Sequence, residues 1–405
     1  MTPSDTSHLD PHNRSGGRAN VKNDVKVEPD QEWLQTEYLA GQNEPLAHVK
    51  GRGSLSNEPS RYLQQRTEQK HLDSTDAPQQ IPATQLMVDQ TRRLITRNQS
   101  PDIPFEQSIN PYKGCEHGCV YCFARPTHAY LDLSPGLDFE TIIFRKANPR
   151  EHLLVELSRS SYTCTPIAMG TNTDPYQPLE RSQQVTREIL EVMLEAKHPV
   201  TIVTKSKLIL RDIDLLSALA EHNLVHVHVS VTTLDNQLKG LLEPRTAGPA
   251  ARLRVLAELR NAGIPTGAML APIIPFINDH EIESLLTAVH EAGAQCARYI
   301  LLRLPLEVQP IFEEWLHKHY SQRADRVMAA IVSARDGKAY RAQWHTRMVG
   351  TGPVAELFKQ RFAAACRKLS FADALPPLRC DLFAPPAKGL RLKRDSAAPG
   401  QMSLF

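Results

Sequence analysis

The stretch Val225-His226-Val227-His228-Val229-Ser230 decides between two folds that the rest of the chain leaves open. Valines alternate with polar residues, so the side chains of His226, His228 and Ser230 share one face of a strand. Both faces of an open parallel sheet are covered by helices and are apolar, so a polar face suits a barrel interior better. The stretch therefore predicts a barrel rather than an open doubly wound sheet.

Around this stretch, from about residue 84 to residue 304, short apolar strands alternate with amphipathic helices. Such alternation implies a parallel sheet with helices between its strands. Counting a first strand that ends at Asn110, the pattern gives six βα units, and we predict an α/β fold, a partial (β/α)6 TIM-like barrel. The other five strands are predicted at residues 165–170, 200–204, 225–231, 266–272 and 297–302.

The segments on either side of the barrel differ from it in composition. Residues 1–83 are polar and interrupted by Gly and Pro, which predicts a mostly disordered leader. Residues 305–371 show helical periodicity and predict a small α-helical extension. Residues 372–405 are rich in Pro, Ala and basic side chains and predict a flexible tail. The barrel itself is assigned to residues 84–304.

Composition excludes several classes of protein. The 405 residues include 47 basic and 45 acidic side chains, and a net charge of +2 excludes a polybasic mode of binding. No stretch approaches the ~18 consecutive apolar residues that a membrane span requires. Seven cysteines are too few and too unevenly spaced for a disulfide scaffold. We expect a cytoplasmic protein without a membrane partner.

Three of the cysteines form the motif Cys115-Glu-His-Gly-Cys119-Val-Tyr-Cys122, directly after the first predicted strand. Clustered thiolates bind zinc or iron–sulfur clusters. Structural zinc sites are closed by four ligands, usually two separated pairs, whereas this loop supplies three thiolates and no fourth cysteine nearby. His117 is the candidate fourth zinc ligand, but it and its neighbours on both sides cannot all converge on one tetrahedron. The spacing favours an iron–sulfur cluster with one open iron.

The spacing Cys-x3-Cys-x2-Cys, with an aromatic residue before the last cysteine and a six-fold barrel around it, resembles the radical S-adenosylmethionine (SAM) superfamily. The resemblance implies a [4Fe–4S] cluster on Cys115, Cys119 and Cys122, with S-adenosyl-L-methionine on the fourth iron. It further implies reductive cleavage of this cofactor to a 5′-deoxyadenosyl radical. An electron donor such as flavodoxin or ferredoxin would then be a partner. By the same analogy, Tyr121 lies near the adenine.

The carboxyl ends of barrel strands, where function gathers in such folds, carry polar residues here. Thr171 and Asn172 follow the second predicted strand and can hydrogen-bond the ammonium group of the cofactor, although the same loop can be a simple turn. Lys205 ends the third strand and is the candidate for the cofactor carboxylate, with a surface lysine as the alternative. Ser230 ends the fourth strand.

Within the superfamily, the strand end Thr204-Lys205-Ser206, the serine at 230 and the later Arg245-Thr246 pair resemble the spore photoproduct lyase branch. That resemblance implies cofactor contacts by Lys205 and Ser230 and a substrate related to nucleic acid. The lyase also carries a cysteine near the end of strand two that returns a hydrogen atom to the product. This chain has Ala168-Met169-Gly170-Thr171 there, without a thiol. We therefore expect a relative that acts on another substrate.

The last five residues, Gln401-Met-Ser-Leu404-Phe405, resemble the peptide that binds the bacterial DNA sliding clamp. In this interpretation Leu404 and Phe405 fill an apolar pocket while Gln401 bonds at its rim. Pentapeptide matches also arise by chance, so the alternative is a terminus without this role.

Two other classes of function stay open at this stage. One is a non-catalytic iron–sulfur protein that senses redox state or docks on partners. The other is a zinc-stapled interaction protein. His226 and His228 are most simply core residues of the barrel, because a His-x-His metal pair would need further ligands.

Overall fold

The structure is a computed structural model that describes residues 51–62, 83–91 and 93–387. Most of the predicted leader, and the predicted clamp peptide at 401–405, lie outside the described residues.

The described residues form one large sheet and one small sheet. The large sheet has the strand order β10-β9-β8-β7-β6-β3-β2, and the small sheet has the order β1-β5-β4. In chain order the strands are β1 (Gln85–Asp89), β2 (Thr96–Arg97), β3 (Gln107–Ile109), β4 (Tyr112–Lys113), β5 (Ile142–Lys146), β6 (Ile167–Met169), β7 (Val200–Thr204), β8 (Val225–Ser230), β9 (Thr266–Ile273) and β10 (Cys296–Leu301).

Helices separate the strands of the large sheet and continue beyond its last strand. In chain order they are α1 (Asp138–Thr141), α2 (Pro149–Leu157), α3 (Glu180–Gln183), α4 (Val185–Glu195), α5 (Ile213–Ala220), α6 (Asn236–Leu242), α7 (Pro249–Asn261), α8 (Ile282–Glu291), α9 (Val308–Tyr320), α10 (Ala324–Ser333) and α11 (Gly352–Lys368).

Strands β3, β6, β7, β8, β9 and β10 are parallel neighbours in this order, and the antiparallel β2 borders β3. Within the described ranges β10 pairs with β9 on one side alone, so the six strands form an open, partial barrel. The predicted α/β fold with a partial (β/α)6 barrel is confirmed. Strand β7 has the predicted bounds, and the other five barrel strands differ from prediction by a few residues at their ends.

The alternation in β8 has the physical basis that the sequence indicated. Val225, Val227 and Val229 belong to the apolar core between the sheet and its helices. The opposite face carries His226 and His228, whose rings therefore point into the barrel. Burial lowers the pKa of His228 to about 4, with His226 and Arg298 adding to the effect, so this ring is neutral at pH 7.

Three segments differ from the sequence-based expectation. Residues 142–146 form β5, which was not predicted because its partner β1 is supplied by a distant part of the chain. Residues 51–62 belong to the predicted leader, yet Arg52, Ser54 and Leu55 are buried, and the segment is hydrogen-bonded to Glu140 of α1. Residues 372–387 belong to the predicted tail, yet they are bound to the amino ends of barrel strands. Composition could not reveal these contacts, since their partners are remote in sequence.

The helices after β10 occupy the predicted extension. Helices α9 and α10 form a second apolar core with residues of the cysteine loop. Trp315 of α9 and Val120 and Tyr121 of the loop belong to this core. Helix α11 packs on α8. It also contacts β10, since the ring of Phe362 on α11 lies 4.8 Å from that of Tyr299 on β10. Among the helices described, none has both the length and the apolar character that crossing a bilayer requires.

Candidate metal centre

The loop that carries the three cysteines follows β4 and is held at several points by backbone hydrogen bonds. The N–H of Cys115 donates to the carbonyl of Phe139 at 2.8 Å. The N–H of Val120 donates to the carbonyl of Leu242, the last residue of α6, at 3.1 Å. The loop is thus fixed between the segment around α1 and the end of α6, so the positions of its thiols are set by the fold.

The three thiols of this loop are free, and Cys119 and Cys122 both act electrostatically on Cys115, as neighbouring groups do. Cys115 and Cys119 are buried, whereas Cys122 is half-buried. In the parts of the chain that the structure describes, no three His, Cys, Asp or Glu side chains converge as ligands of one ion. In a cubane cluster each cysteine binds a different iron, so the sulfurs surround the group instead of meeting at one point. Three cysteine thiols in one loop supply the soft ligands that such a cluster binds.

The protein environment does not by itself favour thiolates at these positions. Burial raises the pKa of Cys115 well above its usual value, and the neighbouring Asp174 adds to this shift. Burial and the carboxylate of Glu243 raise the pKa of Cys119 to about 12, although Lys205 opposes the shift. Thiolates are the ligand form, so the positive charge that ionises these groups must come with the metal.

His117, the alternative zinc ligand, has another partner in the structure. Its Nδ1 lies 3.3 Å from Oδ2 of Asp174, and both side chains are almost fully buried. Burial alone would raise the pKa of Asp174, but His117, the N–H of Lys205 and the hydroxyl of Thr204 outweigh it and hold this pKa at about 2. The imidazole of His117 is therefore paired with the ionised carboxylate of Asp174.

Asp174 also positions Lys205. Its carboxylate accepts hydrogen bonds from the Lys205 N–H at 2.7 Å and from the Thr204 hydroxyl at 2.7 Å. The Lys205 ammonium lies 5.9 Å from the centre of the Tyr121 ring. The fold thus brings Lys205, at the end of β7, close to Tyr121 of the cysteine loop, and both were predicted as site residues from the sequence.

Tyr121 and Ser230 are joined by a buried network centred on Glu243. The carboxylate of Glu243 accepts hydrogen bonds from the hydroxyls of Tyr121 and Thr232. It also pairs with the guanidinium of Arg252, which donates to the carbonyl of Ser230 at 2.9 Å. The hydroxyl of Ser230 donates to Ala271 O at 3.3 Å, so this serine lies at the junction of β8 and β9.

Thr171 and Asn172 lie in the loop after β6, and Asn110 holds this loop. The Asn110 side chain bonds the Thr171 hydroxyl at 3.2 Å and accepts from the Asn172 N–H at 3.0 Å. Gly170 adopts φ +84°, and a Cβ there would lie 2.1 Å from Val203 O. Glycine is therefore required for β6 and β7 to approach so closely at this end of the barrel.

Residues 51–62 form a second support for the cysteine loop. The buried carboxylate of Glu140 accepts from the N–H groups of Gly53 and Ser54 at 3.0 Å and 2.9 Å, and it pairs with Arg125 at 2.5 Å. The backbones of Gly53 and Gly118 touch, and a Cβ on Gly53 would lie 1.7 Å from Gly118 O. The segment is therefore part of the architecture of the site.

Several residues of the site were not predicted as functional from the sequence. Asp174 lies in the loop that follows the second predicted strand, and Glu243 lies just before the Arg245-Thr246 pair, but the sequence assigns a role to neither. The buried pair of Arg125 and Glu140 carried no sequence signal, because both types are usually exposed. A signal does exist for Glu243, which directly follows Leu241 and Leu242 at the apolar end of α6.

Comparisons with known proteins agree with this architecture. Residues 109–289 match the sequence profile of the Radical SAM superfamily. An uncharacterised protein of Mycobacterium tuberculosis is 36% identical over 226 residues, which cover 55% of this chain and 66% of that protein. An uncharacterised protein of Methanocaldococcus jannaschii is 27% identical over 214 residues, which cover 53% of this chain and 76% of that protein. The matched region thus spans just under two thirds of the mycobacterial relative.

Among solved structures, spore photoproduct lyase has a similar fold. The lyase complexed with dinucleoside spore photoproduct superposes with a TM-score of 0.53 and 15% sequence identity, covering 70% of this chain and 79% of the lyase. A variant of the same lyase gives a TM-score of 0.52 at 17% identity over the same shares of the two chains. At this level of identity, the likeness concerns the fold.

Proposed function

We propose that this chain is a radical S-adenosylmethionine enzyme with a [4Fe–4S] cluster on Cys115, Cys119 and Cys122, because residues 109–289 match the sequence profile of the Radical SAM superfamily. When bound, the cluster supplies the electron that cleaves S-adenosylmethionine to a 5′-deoxyadenosyl radical. The observation that carries the proposal is the fixed loop with three thiols and Tyr121, beside which Lys205 lies. An external donor such as flavodoxin or ferredoxin would deliver the electron.

The chain's own side chains would bind and orient the cofactor. Lys205 offers an ammonium group for its carboxylate, and Asp174 fixes the backbone of Lys205 by a 2.7 Å hydrogen bond. The loop with Thr171 and Asn172 offers oxygen acceptors for the amino group of the cofactor. Glu243 holds the Tyr121 hydroxyl, which sets the orientation of that ring beside the cysteine loop.

We further propose a substrate related to nucleic acid. The guanidinium of Arg303 stacks 4.4 Å from the ring centre of Phe123, which follows Cys122 and is 41% exposed. An exposed aromatic ring next to a cation is suited to a stacked base and its phosphate. The lyase of similar fold is the one that was solved with a dinucleoside. Because Ala168 and Met169 stand where the lyase is expected to carry its hydrogen-donor cysteine, the substrate here should differ from that of the lyase.

The test is anaerobic reconstitution with iron and sulfide, followed by dithionite and S-adenosylmethionine. We expect a brown protein that releases 5′-deoxyadenosine. Lys205→Met should raise the dissociation constant for the cofactor about tenfold or more, the loss of one charge-assisted contact, whereas the exposed Lys207→Met should not.

Each alternative has its own outcome in this assay. Cluster binding without release of 5′-deoxyadenosine would contradict the enzyme and support a redox-sensing or docking protein. A colourless protein with stoichiometric zinc would support a zinc-stapled interaction protein.

A separate proposal concerns a partner and rests on sequence alone. We propose that Gln401, Leu404 and Phe405 bind a bacterial DNA sliding clamp, which would bring the enzyme to replicated DNA. Deleting Leu404 and Phe405 should abolish retention of the full chain on immobilised clamp, and replacing Ser403 by Ala should not. Equal retention of the deletion variant would refute the proposal.

A further inference from the structure

Helices α10 and α11 are joined by residues 334–351, which we name the α10–α11 loop. Throughout this range the chain forms turns and irregular structure. The loop is longer than the ~12–15 residues that connections without secondary structure rarely exceed in a compact domain. Ordered loops of this length are usually functional, so the loop calls for a role that its neighbouring helices do not explain.

The α10–α11 loop is basic and carries aromatic side chains. One of its residues, Asp336, is acidic, and four are basic. The basic residues are Arg335, Lys338, Arg341 and Arg347. Tyr340 and Trp344 are interleaved with them. Cations interleaved with aromatic rings are typical of surfaces that bind single-stranded nucleic acid.

Hydrogen bonds fix both ends of the α10–α11 loop beside the carboxyl end of β10. Near the start of the loop, the guanidinium of Arg335 donates to the carbonyls of Leu301 and Leu302 at 2.9 Å and 2.7 Å. Near its end, the carbonyl of Met348 accepts from the N–H of Leu301 at 2.9 Å. The loop therefore lies along the end of the last barrel strand, where the residues of a barrel site gather.

The same strand end connects the α10–α11 loop to the surroundings of the cysteine loop. Arg303 directly follows Leu302, and its guanidinium lies 4.4 Å from the ring centre of Phe123. Phe123 in turn directly follows Cys122. A ligand bound on the α10–α11 loop would therefore lie next to the Arg303–Phe123 pair.

The indole ring of the α10–α11 loop is exposed. Trp344 is 56% exposed, whereas Trp315 of α9 is 1% exposed. Tryptophan side chains are highly buried on average, so an indole left in solvent indicates a surface that a ligand covers. Such a ring can stack on a base whose face is free, which an unpaired strand offers and a duplex does not.

The cations of the α10–α11 loop differ in how far they are engaged within the protein. Nε of Arg347 lies 2.6 Å from Oδ2 of Asp102, whose side chain is almost fully buried, so Arg347 serves the structure of the loop. Lys338 is exposed. Arg341 pairs with Asp336, and both of these side chains are exposed. An exposed ion pair stabilises little, so a phosphate can replace Asp336 as the partner of Arg341.

We propose that the α10–α11 loop is a binding surface for single-stranded nucleic acid. Trp344 stacks on an unpaired base, and Lys338 and Arg341 contact the phosphates of its backbone. The strand then reaches the Arg303–Phe123 pair, so the substrate is a nucleotide within a strand rather than a free nucleotide. This inference rests on the nucleic-acid-related substrate proposed above and does not depend on the radical chemistry.

The experiment measures binding of a fluorescently labelled oligothymidylate of about 12 nucleotides to the reconstituted full chain by anisotropy, without oxygen and at several salt concentrations. Unlabelled competitors are the same oligothymidylate, thymidine monophosphate and a duplex of equal length. We expect the monophosphate and the duplex to compete about tenfold less well, or worse, than the oligothymidylate. The oligothymidylate should also quench tryptophan fluorescence.

Variants assign the binding to the α10–α11 loop. Trp344→Ala should raise the dissociation constant about tenfold, the loss of one stacked base, and abolish the quenching, whereas Trp344→Phe should keep most of the affinity. Arg341→Ser should weaken binding and reduce the slope of log affinity against log salt by about 0.7, the loss of one phosphate contact. Arg379→Ser is the matched control, since Arg379 is an exposed arginine paired with Asp381 at the amino ends of the strands. It should change neither the affinity nor the slope.

The outcomes separate this inference from the proposals on which it builds. Competition by the monophosphate as strong as by the oligothymidylate would overturn the strand-binding surface and leave a nucleotide-related substrate. Equal binding of the duplex, or equal effects of Arg341→Ser and Arg379→Ser, would also overturn it. A protein that releases 5′-deoxyadenosine but does not bind the oligothymidylate would overturn this inference and leave the radical enzyme. Binding with the expected variant effects by a protein that releases no 5′-deoxyadenosine would support the surface and contradict the enzyme.

Discussion

The replacement Glu243→Gln tests whether the buried network behind Tyr121 supports the site. The Glu243 carboxylate is fully buried and accepts from Tyr121 and Thr232 while pairing with Arg252. Glutamine keeps the size of the side chain but removes its charge. The change leaves the guanidinium of Arg252 buried without a counter-charge, which is the costly way to break such a pair.

The magnitude follows from the pKa of this group. Burial alone would raise it, but Arg252, Lys205 and the two hydroxyls outweigh burial and lower the pKa of Glu243 from 4.5 to about 2. At ~1.4 kcal/mol per pKa unit, the ionised carboxylate contributes about 3 kcal/mol at pH 7. A folded-state pKa below the unfolded value gives stability that is present above about pH 4.5 and is lost as pH falls towards 2. The contribution should therefore fall to about 2 kcal/mol near pH 3.5.

The assay is urea unfolding of the cluster-free protein, followed by circular dichroism at several pH values. We expect Glu243→Gln to lower the free energy of unfolding by about 3 kcal/mol at pH 7, and by less at low pH. Asp381→Asn, which removes an exposed partner of Arg379, serves as the control and should cause no measurable change. A Glu243→Gln protein as stable as the parent at pH 7, or a loss that grows on acidification, would refute the reasoning.

Two further predictions test the supports of the cysteine loop. Gly53→Ala would place a Cβ 1.7 Å from Gly118 O, so we expect this variant to lose most of its cluster absorbance on reconstitution. The control Gly240→Ala, whose Cβ meets no atom within 4 Å, should reconstitute normally. Equal absorbance spectra of the two variants would contradict the close packing of Gly53 on Gly118. Asp174→Asn removes a buried carboxylate whose pKa is held at about 2. At pH 7 the change should therefore lower the free energy of unfolding by about 2 kcal/mol, and by less towards pH 3. A loss of unfolding free energy in urea titrations that does not depend on pH would show that the charge is not the cause.

The local pattern of apolar and polar residues was sufficient to predict much of the barrel. Strand β7 at Val200–Thr204 was predicted with its bounds, and the alternation in β8 correctly indicated a polar inner face. Such signals survive in the sequence because each strand has one face against an apolar core, whatever its neighbours are. Strand β5 at Ile142–Lys146 was missed, since its existence depends on pairing with β1, which lies far away in the chain.

The residues of the candidate site likewise fall into those that local sequence predicted and those that depend on distant partners. The three cysteines were identified from spacing, because one short loop carries them all. The position of Lys205 next to Tyr121 of this loop, and the network that links Tyr121 to Ser230, are structural findings. The contacts of these three residues with a cofactor stay predictions. Asp174 could not be separated from an ordinary turn residue without its buried partner His117.

The sequence by itself determined the α/β barrel class and the clustering of three thiols, since periodicity and short spacing are written locally in the chain. Tertiary structure alone decided which charges lie behind those thiols and where the outer segments attach. Glu243 reaches Tyr121 across 122 positions, and residues 372–387 attach by backbone hydrogen bonds to the amino ends of barrel strands. The physical reason is that the state of a buried charge depends on its partner, and the folded path of the chain determines which residue that partner is.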